Sequence, residues 1–285
     1  MDETRTFGWQ GFTFQTPKSW ELSSFAGSYK SGALFLDDLY GTRLALKWAY
    51  EKKPPSEKEI RSRVEDFLKK LAKKEGVKWS FRGTLSVGKH KAVAFSWRSK
   101  ESLAKGFSWY CDKTRRAVIL QVVERVSSGK SYAKDIASTF NCHPKGPYRL
   151  WTPPNVVLEV RNEFDLVRAK VMTGLSMLHF KRGRFLPKEL VVVSRGLARA
   201  YFKDSSLRDW LRDIDRLFKL GLRLPKKVSD LDPLSENSFK VRTKRLLFSY
   251  VVATKYFEHR DALVVVLAKG LRAEDLRYIV RVKAP

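Results

Sequence analysis

The feature that most limits what this chain can become is that it reads as one plan written twice. The first half opens with FTFQTPKSWEL and the second with RLWTPPNVVLEV, so that Thr16-Pro17 matches Thr152-Pro153. Apolar, strand-like runs follow in each: GALFLDD and TRLALKWAYE in the first, GLSMLHFKRG, KELVVVSRG and LARAYFKD in the second. A helix comes next in both. The first is expected to start at Ser56, with Glu59 completing a capping box, to set Ile60, Val64, Phe67, Leu68 and Leu71 on one face, and to stop at Gly76. The second is expected to start at Ser205 or Ser206, to turn Leu207, Trp210, Leu211, Ile214, Leu217 and Phe218 inward, and to stop at Gly221. Strand-like runs then return. AVAFSWRS matches LLFSYVVA, and AVILQVVERV matches ALVVVLAKG, at nearly the offset that relates the two helices. Each copy closes on an expected helix, in YAKDIASTF and AEDLRYIVRV.

This order predicts two tandem, similar domains, 1–146 and 147–285, meeting in the Pro/Gly-rich stretch HPKGPYRLWTPP. The fold class is α+β: each domain a mainly antiparallel sheet covered by helices. The opening FTFQTPKSW, with its aromatic-x-aromatic-x-x-Pro-x-x-Trp pattern, together with the element order, resembles the PsbP-like superfamily. The resemblance implies tandem PsbP-like α+β domains. That superfamily has no shared catalytic residues, so the likeness speaks to fold and not to chemistry.

Charge narrows the function. The chain carries 57 Lys and Arg against 30 Asp and Glu, a formal net charge of +27, while a hydrophobic content of 43% is enough for a buried core. Such an excess repels itself in a compact state and is best tolerated beside a polyanion. Nucleic acid is the first candidate and an anionic membrane surface the second. The longest apolar run, Ala262 to Ala268, is too short to span a bilayer, and the N-terminal MDETRTFGWQ does not read as a signal peptide. The two cysteines, Cys111 and Cys142, make no disulfide framework, so a cytoplasmic location is expected. Three Gln and four Asn against abundant Lys, Arg and Val fit a hyperthermophile, by this bias an archaeon.

Catalytic signatures are absent. Gly129-Lys130-Ser131 resembles the end of a phosphate-binding loop, but the upstream glycine falls at Glu124. His90, His143, His179 and His259 lie far apart at no metal-ligand spacing, and adjacent Cys142-His143 point different ways, so no metal and no cofactor is expected. Asp37-Asp38 reads as a turn cap. The repeated Phe-Ser-Trp raises a base-stacking platform, but alternation puts Val93, Phe95 and Trp97 on one strand face and Phe107, Trp109 and Cys111 on one face of the next. In the second copy Phe248 and Tyr250 take the first pair's places, and the partner run is aliphatic. A core tolerates that exchange and a stacking surface does not, so these aromatics are assigned to cross-strand core packing.

The basic residues remain as the binding candidates. Lys181, Arg182 and Arg184 surround Gly183 at an expected hairpin apex, the best single phosphate contact. Lys226 and Lys227 follow a proline, and Arg242, Lys244 and Arg245 precede the LLFSY strand. The first half offers Lys52 and Lys53 before Pro-Pro, and a rim of Lys89, Lys91, Arg98, Lys100, Lys105, Arg115 and Arg116. Zinc-finger, basic-zipper, helix-turn-helix and RNP signatures are missing, which leaves backbone and shape recognition. Ribosomal RNA is the most abundant folded polyanion in a cytosol, and two basic domains on one chain gain from effective concentration. In size, charge and duplicated build the chain is similar to ribosome-inactivating dormancy factors of hyperthermophilic archaea. That likeness implies a protein that engages ribosomal subunits and blocks their functional sites sterically, without catalysis; a monomer is expected. The alternatives are a non-sequence-specific DNA-binding architectural protein and a ribosome assembly factor; a membrane role is disfavoured because no lipid anchor is visible.

Overall fold

Alternating apolar and polar residues dominate the sequence, and the computed structural model resolves them into sheets. It describes residues 3–126, 131–185, 187–219, 234, 240–245 and 248–283. Two units divide the chain, Met1–Gly146 and Pro147–Pro285.

The first unit begins with the hairpin β1 (Thr4–Trp9) and β2 (Phe12–Pro17). Its two-residue turn needs positive φ at both positions, which Gln10 (50°) and Gly11 (84°) adopt. Seven further strands form one antiparallel sheet: β3 (Glu21–Gly27), β4 (Gly32–Asp38), β5 (Gly41–Tyr50), β6 (Lys78–Val87), β7 (His90–Arg98), β8 (Ser102–Cys111) and β9 (Arg116–Arg125). Their spatial order is β3-β4-β5-β9-β8-β7-β6. Helix α1 (Glu57–Glu75) covers one face. Ser56 caps it with both arms of the capping box formed, and Gly76 ends it in the left-handed region. Val64 and Leu68 meet Phe95 there, with Phe67, Trp97 and Ile119 around them. The other face carries the β1–β2 hairpin and α2 (Ala133–Thr139), where Phe140 stacks on Phe14 and meets Trp109 edge-on at 5.1 Å.

In the second unit, β10 (Tyr148–Trp151), β11 (Val157–Arg161) and β18 (Val280–Lys283) make a three-stranded sheet. A six-stranded antiparallel sheet is built from β12 (Asp165–Met172), β13 (Leu175–Arg182), β14 (Lys188–Gly196), β15 (Lys240–Arg245), β16 (Phe248–Phe257) and β17 (Ala262–Lys269), in the order β12-β13-β14-β17-β16-β15. Helices α3 (Ala198–Phe202) and α4 (Leu207–Phe218) bury Phe202, Leu207, Trp210, Leu211, Ile214 and Phe218 against Met177, Val193 and Val265. Trp151 reaches the opposite face and meets Phe180 at 5.2 Å.

The two strand orders follow one scheme: three strands in sequence, a helix, and a last strand returning beside the third. Both units are mainly antiparallel and rich in sheet, more so than an α+β plan with ample helical cover. Several finer expectations differ. The last element of the second copy is only the short α5 (Leu276–Ile279), after which Val280–Lys283 continues as β18, because its alternating valines pair with β11. Helix α4 ends with Lys219 left-handed, and Leu217 is exposed where an inward position was expected. Within the run LLFSYVVA, Phe248–Ala253 falls in β16, which stands beside β17 as β8 stands beside β9, so its place is that of β8 and not of AVAFSWRS in β7; the two leucines lie outside the described residues. Nor do the two Phe-Ser-Trp triplets pack together: Phe95 faces α1, whereas Trp109 faces Phe140 on the far side of the sheet. No helix among the described residues is long and apolar enough to cross a membrane.

Candidate functional site

Strand pairing forces each hairpin tip outward, and the tips are where basic and apolar side chains meet. Between β13 and β14, Arg182 pairs across from Lys188, and the intervening chain holds Gly183, Arg184 and Phe185. Phe185 is 98% exposed, with Arg184 exposed beside it. Arg182 reaches Glu163 at 2.9 Å, and Lys181 lies 3.6 Å from Glu189; Arg184 pairs with no acid among the described residues. The corresponding tip of the first unit, between β4 and β5, has the same character. There Leu39 is 96% and Tyr40 67% exposed, and the Arg125 guanidinium lies 4.0 Å from the Tyr40 ring centre. Asp38 caps this turn, accepting from the Tyr40 amide at 2.8 Å and from Arg43 at 2.7 Å. Strand register places Arg98, the last residue of β7, and Lys100, in the turn after it, at the same end of the sheet as Arg125.

The remaining basic candidates scatter. Lys52 and Lys53 are exposed between β5 and α1, and Arg115 is exposed in the turn before β9, where a Tyr50 hydrogen bond raises its affinity for protons. Lys91 is exposed and 3.3 Å from Glu57. Lys105 is half-buried, held by the buried Glu124 at 3.3 Å and by Ser131 at 2.6 Å. Arg242, Lys244 and Arg245 belong to edge strand β15 rather than to a turn. Lys226 and Lys227, like Gly129 and Lys130, lie outside the described residues.

Arg116 corrects the expectation of a phosphate-facing rim. It is fully buried, donates to the carbonyls of Gln10 at 3.0 Å, Tyr29 at 3.2 Å and Cys142, and stacks over Phe12 and Tyr29. The turn explains the difference: Arg115 closes it in the left-handed region (φ 50°) and stays in solvent, whereas Arg116 opens β9 and its side chain enters the core.

The sheet also gathers residues that sequence spacing scattered. His90 begins β7, Cys111 ends β8, and Cys142-His143 follows α2. The Cys142 and Cys111 sulfurs are 2.8 Å apart, and His90 Nε2 is 2.9 Å from Cys142 Sγ. His143 Nδ1 stands 3.3 Å from Cys142 Sγ and 3.9 Å from Cys111 Sγ. Both cysteines are fully buried. The hydrogen bond from Cys142, followed by that from His90, holds the Cys111 thiol far below the ordinary range, while donating that bond and being buried push Cys142 up. A cleft of about 580 Å³ opens beside the cluster, lined by Lys89, Asp112, Lys113, Lys145 and the two histidines. The sequence signal for this convergence was the pairing of the chain's only two cysteines with two of its four histidines in one half.

No family model matches the chain, and no curated protein matches it. Among solved structures, the crystal structure of MucB in complex with MucA(peri) is similar at 10% identity and a TM-score of 0.20, over 96% of this chain and 83% of that one. A likeness of that degree carries no argument here.

Proposed function

We propose that this chain is a non-enzymatic RNA-binding protein that associates with ribosomal subunits through ribosomal RNA and occupies their functional sites. The observation that carries the reading is the tip of the β13–β14 hairpin, where Phe185 stands in solvent beside Arg184, with Arg182 two residues before that. An exposed aromatic ring stacks on an unpaired base, and neighbouring guanidiniums hold the flanking phosphates. Unstacked bases are abundant in the loops of folded RNA and absent from intact duplex DNA, so the pairing of ring and charge favours RNA. Leu39, Tyr40 and Arg125 at the equivalent tip of the first unit support a second contact of the same kind. With both units basic, two weak contacts on one chain combine through effective concentration. The large positive charge supplies long-range attraction, which salt screens. Obstruction of mRNA, tRNA or subunit joining would follow from occupancy alone.

The test is sucrose-gradient fractionation of native lysate with the full chain, followed by a high-salt wash. Co-migration with ribosomal subunits and release by salt are expected. Recovery only in ribosome-free soluble fractions would end the ribosome reading. Recovery with nuclease-sensitive DNA would move the assignment to an architectural DNA-binding protein.

A further inference from the structure

We infer that Cys111, Cys142, His90 and His143 form a tetrahedral site for one zinc-class transition-metal ion. The inference is independent of the RNA-binding reading and stands on three properties of the cluster.

The first is its composition. Two thiols and two imidazoles are the donor set of closed structural zinc sites, and their softness selects zinc-class ions over magnesium or calcium. A tetrahedral site with Zn–S bonds of about 2.3 Å and Zn–N bonds of about 2.0 Å spans sulfur–nitrogen separations of about 3.5 Å. His90, Cys111 and Cys142 offer donor atoms all within 4.8 Å of one another, and His143, at 3.3 and 3.9 Å from the two sulfurs, stands just outside that trio and would swing in as the fourth ligand. The sulfurs, at 2.8 Å, and His90 Nε2, at 2.9 Å from Cys142, are drawn in more tightly and would open by under about 1 Å around an ion.

The second is that the supporting backbone is already pinned. Residue 141 exchanges two backbone hydrogen bonds with Thr13, at 2.9 and 2.7 Å, and Arg116 grips the Cys142 carbonyl. The turn that carries His90 is locked to the end of α2: Gly88 donates to the Ala137 carbonyl at 2.7 Å, and any Cβ at Gly88 would collide with the Phe140 carbonyl at 2.1 Å. The His90 ring lies nearly parallel to Trp109, 18° between planes. The donors thus hang from three separated segments whose positions are fixed before any ion arrives, the preorganisation that a metal site requires.

The third is charge. Two thiolates with a divalent ion and two neutral imidazoles sum to zero, so the occupied site is itself neutral beside the buried Arg116. On binding, each thiol proton that remains is released to solvent and the sulfur lone pair forms the metal bond, with no redox change. The adjoining cleft gives the ion its route in, past Asp112.

The full chain, purified without added metal and without chelator, is expected to carry about one zinc by elemental analysis. Replacement by Co2+ should give the intense visible bands of tetrahedral cobalt with a thiolate-to-cobalt charge-transfer band. Cys111→Ser and Cys142→Ser should abolish that band, and His143→Ala should weaken cobalt binding by about tenfold or more. Should a cysteine variant fail to fold, chelation of the wild-type chain decides: a fall in the guanidinium midpoint, restored by added Zn2+, is expected. A chain that takes up no zinc or cobalt after reduction and Zn2+ addition would overturn the assignment. So would a Cys111–Cys142 disulfide found by thiol counting in freshly isolated protein. Unchanged cobalt affinity and spectrum in His143→Ala would overturn the four-ligand assignment.

Discussion

Gly106 on β8 sits directly across from Phe95 on β7, and a Cβ at Gly106 would lie 2.1 Å from the Phe95 ring. The ring lies over the backbone of the neighbouring strand, in the space that the missing side chain leaves, and its other side meets Phe67 of α1. Gly106→Ala should therefore force the ring off its rotamer and cost about 1–3 kcal/mol, the usual range for overpacking a dense core. Guanidinium unfolding measures this directly. The midpoint should fall with an unchanged slope. A midpoint equal to wild type would mean that Phe95 has free room, contrary to its near-complete burial.

Arg116 separates structural from binding arginines. Replacing it with Met keeps the bulk but strands the buried carbonyls of Gln10 and Cys142 away from water. Each buried acceptor left unpaired costs about 1–3 kcal/mol, so Arg116→Met should destabilise by roughly 3 kcal/mol or more. In the folded variant, the salt dependence of RNA binding should match wild type. A lower salt slope with undiminished stability would make Arg116 a phosphate contact after all, since each lost contact reduces the slope by about one.

What could be read in advance follows the range of the interactions involved. Both arms of the α1 capping box, Ser56 and Glu59, and its stop at Gly76 are local chemistry within a few residues, and the sequence states them openly. The core faces of β7 and β8 follow from period-2 alternation. Matching LLFSYVVA to AVAFSWRS failed because Phe-Ser-aromatic similarity is weaker than sheet connectivity: β16 belongs beside β17. The Cys/His cluster showed only in composition, as two cysteines and two histidines in one half, for the same reason. His90, Cys111 and Cys142 are distant along the chain and meet only because the start of β7, the end of β8 and the segment after α2 come together at one end of the sheet. Phe185 was hidden by a different rule. The basic residues marked the apex at Gly183, but that the aromatic ring two residues on also stands in solvent is set by the hairpin register.

Phe185 and Arg184 should separate stacking from charge. Phe185→Ala is expected to lose about 1–3 kcal/mol of affinity for a single-stranded or loop RNA, with its salt slope unchanged. Arg184→Ala should weaken binding uniformly across sequences and reduce the slope by about one. Both side chains are exposed, so neither variant should shift the unfolding midpoint appreciably. Fluorescence anisotropy over a salt series reads both effects. Wild-type affinity in Phe185→Ala would remove the hairpin tip from the RNA interface.

His179 should make the second unit sensitive to mild acid. It lies on β13, with Nε2 2.8 Å from Glu189 Oε2 on β14. Burial lowers its proton affinity below the ordinary value of 6.5, and the nearby Glu189 carboxylate only partly opposes this. That carboxylate is shared with Lys269 at 3.3 Å and Lys181 at 3.6 Å, and Arg168 adds further positive charge near the ring. Burial, with Lys181 and Arg168 adding positive charge, outweighs the bond to Glu189, so a close ion-pair geometry does not raise the histidine. The folded state thus prefers neutral His179, while the unfolded chain protonates it near 6.5. The stabilisation is complete above that value and is lost as pH falls from it toward the lower folded value. Glu189 is shifted in the same direction, but from 4.5, so its contribution fades only at stronger acidity. Guanidinium midpoints measured between about pH 7.5 and 5.5 should decline in wild type. In His179→Gln, which keeps a hydrogen-bonding amide without the titration, the decline should be shallower. An equal decline in both proteins would exclude His179 as the source of the acid sensitivity.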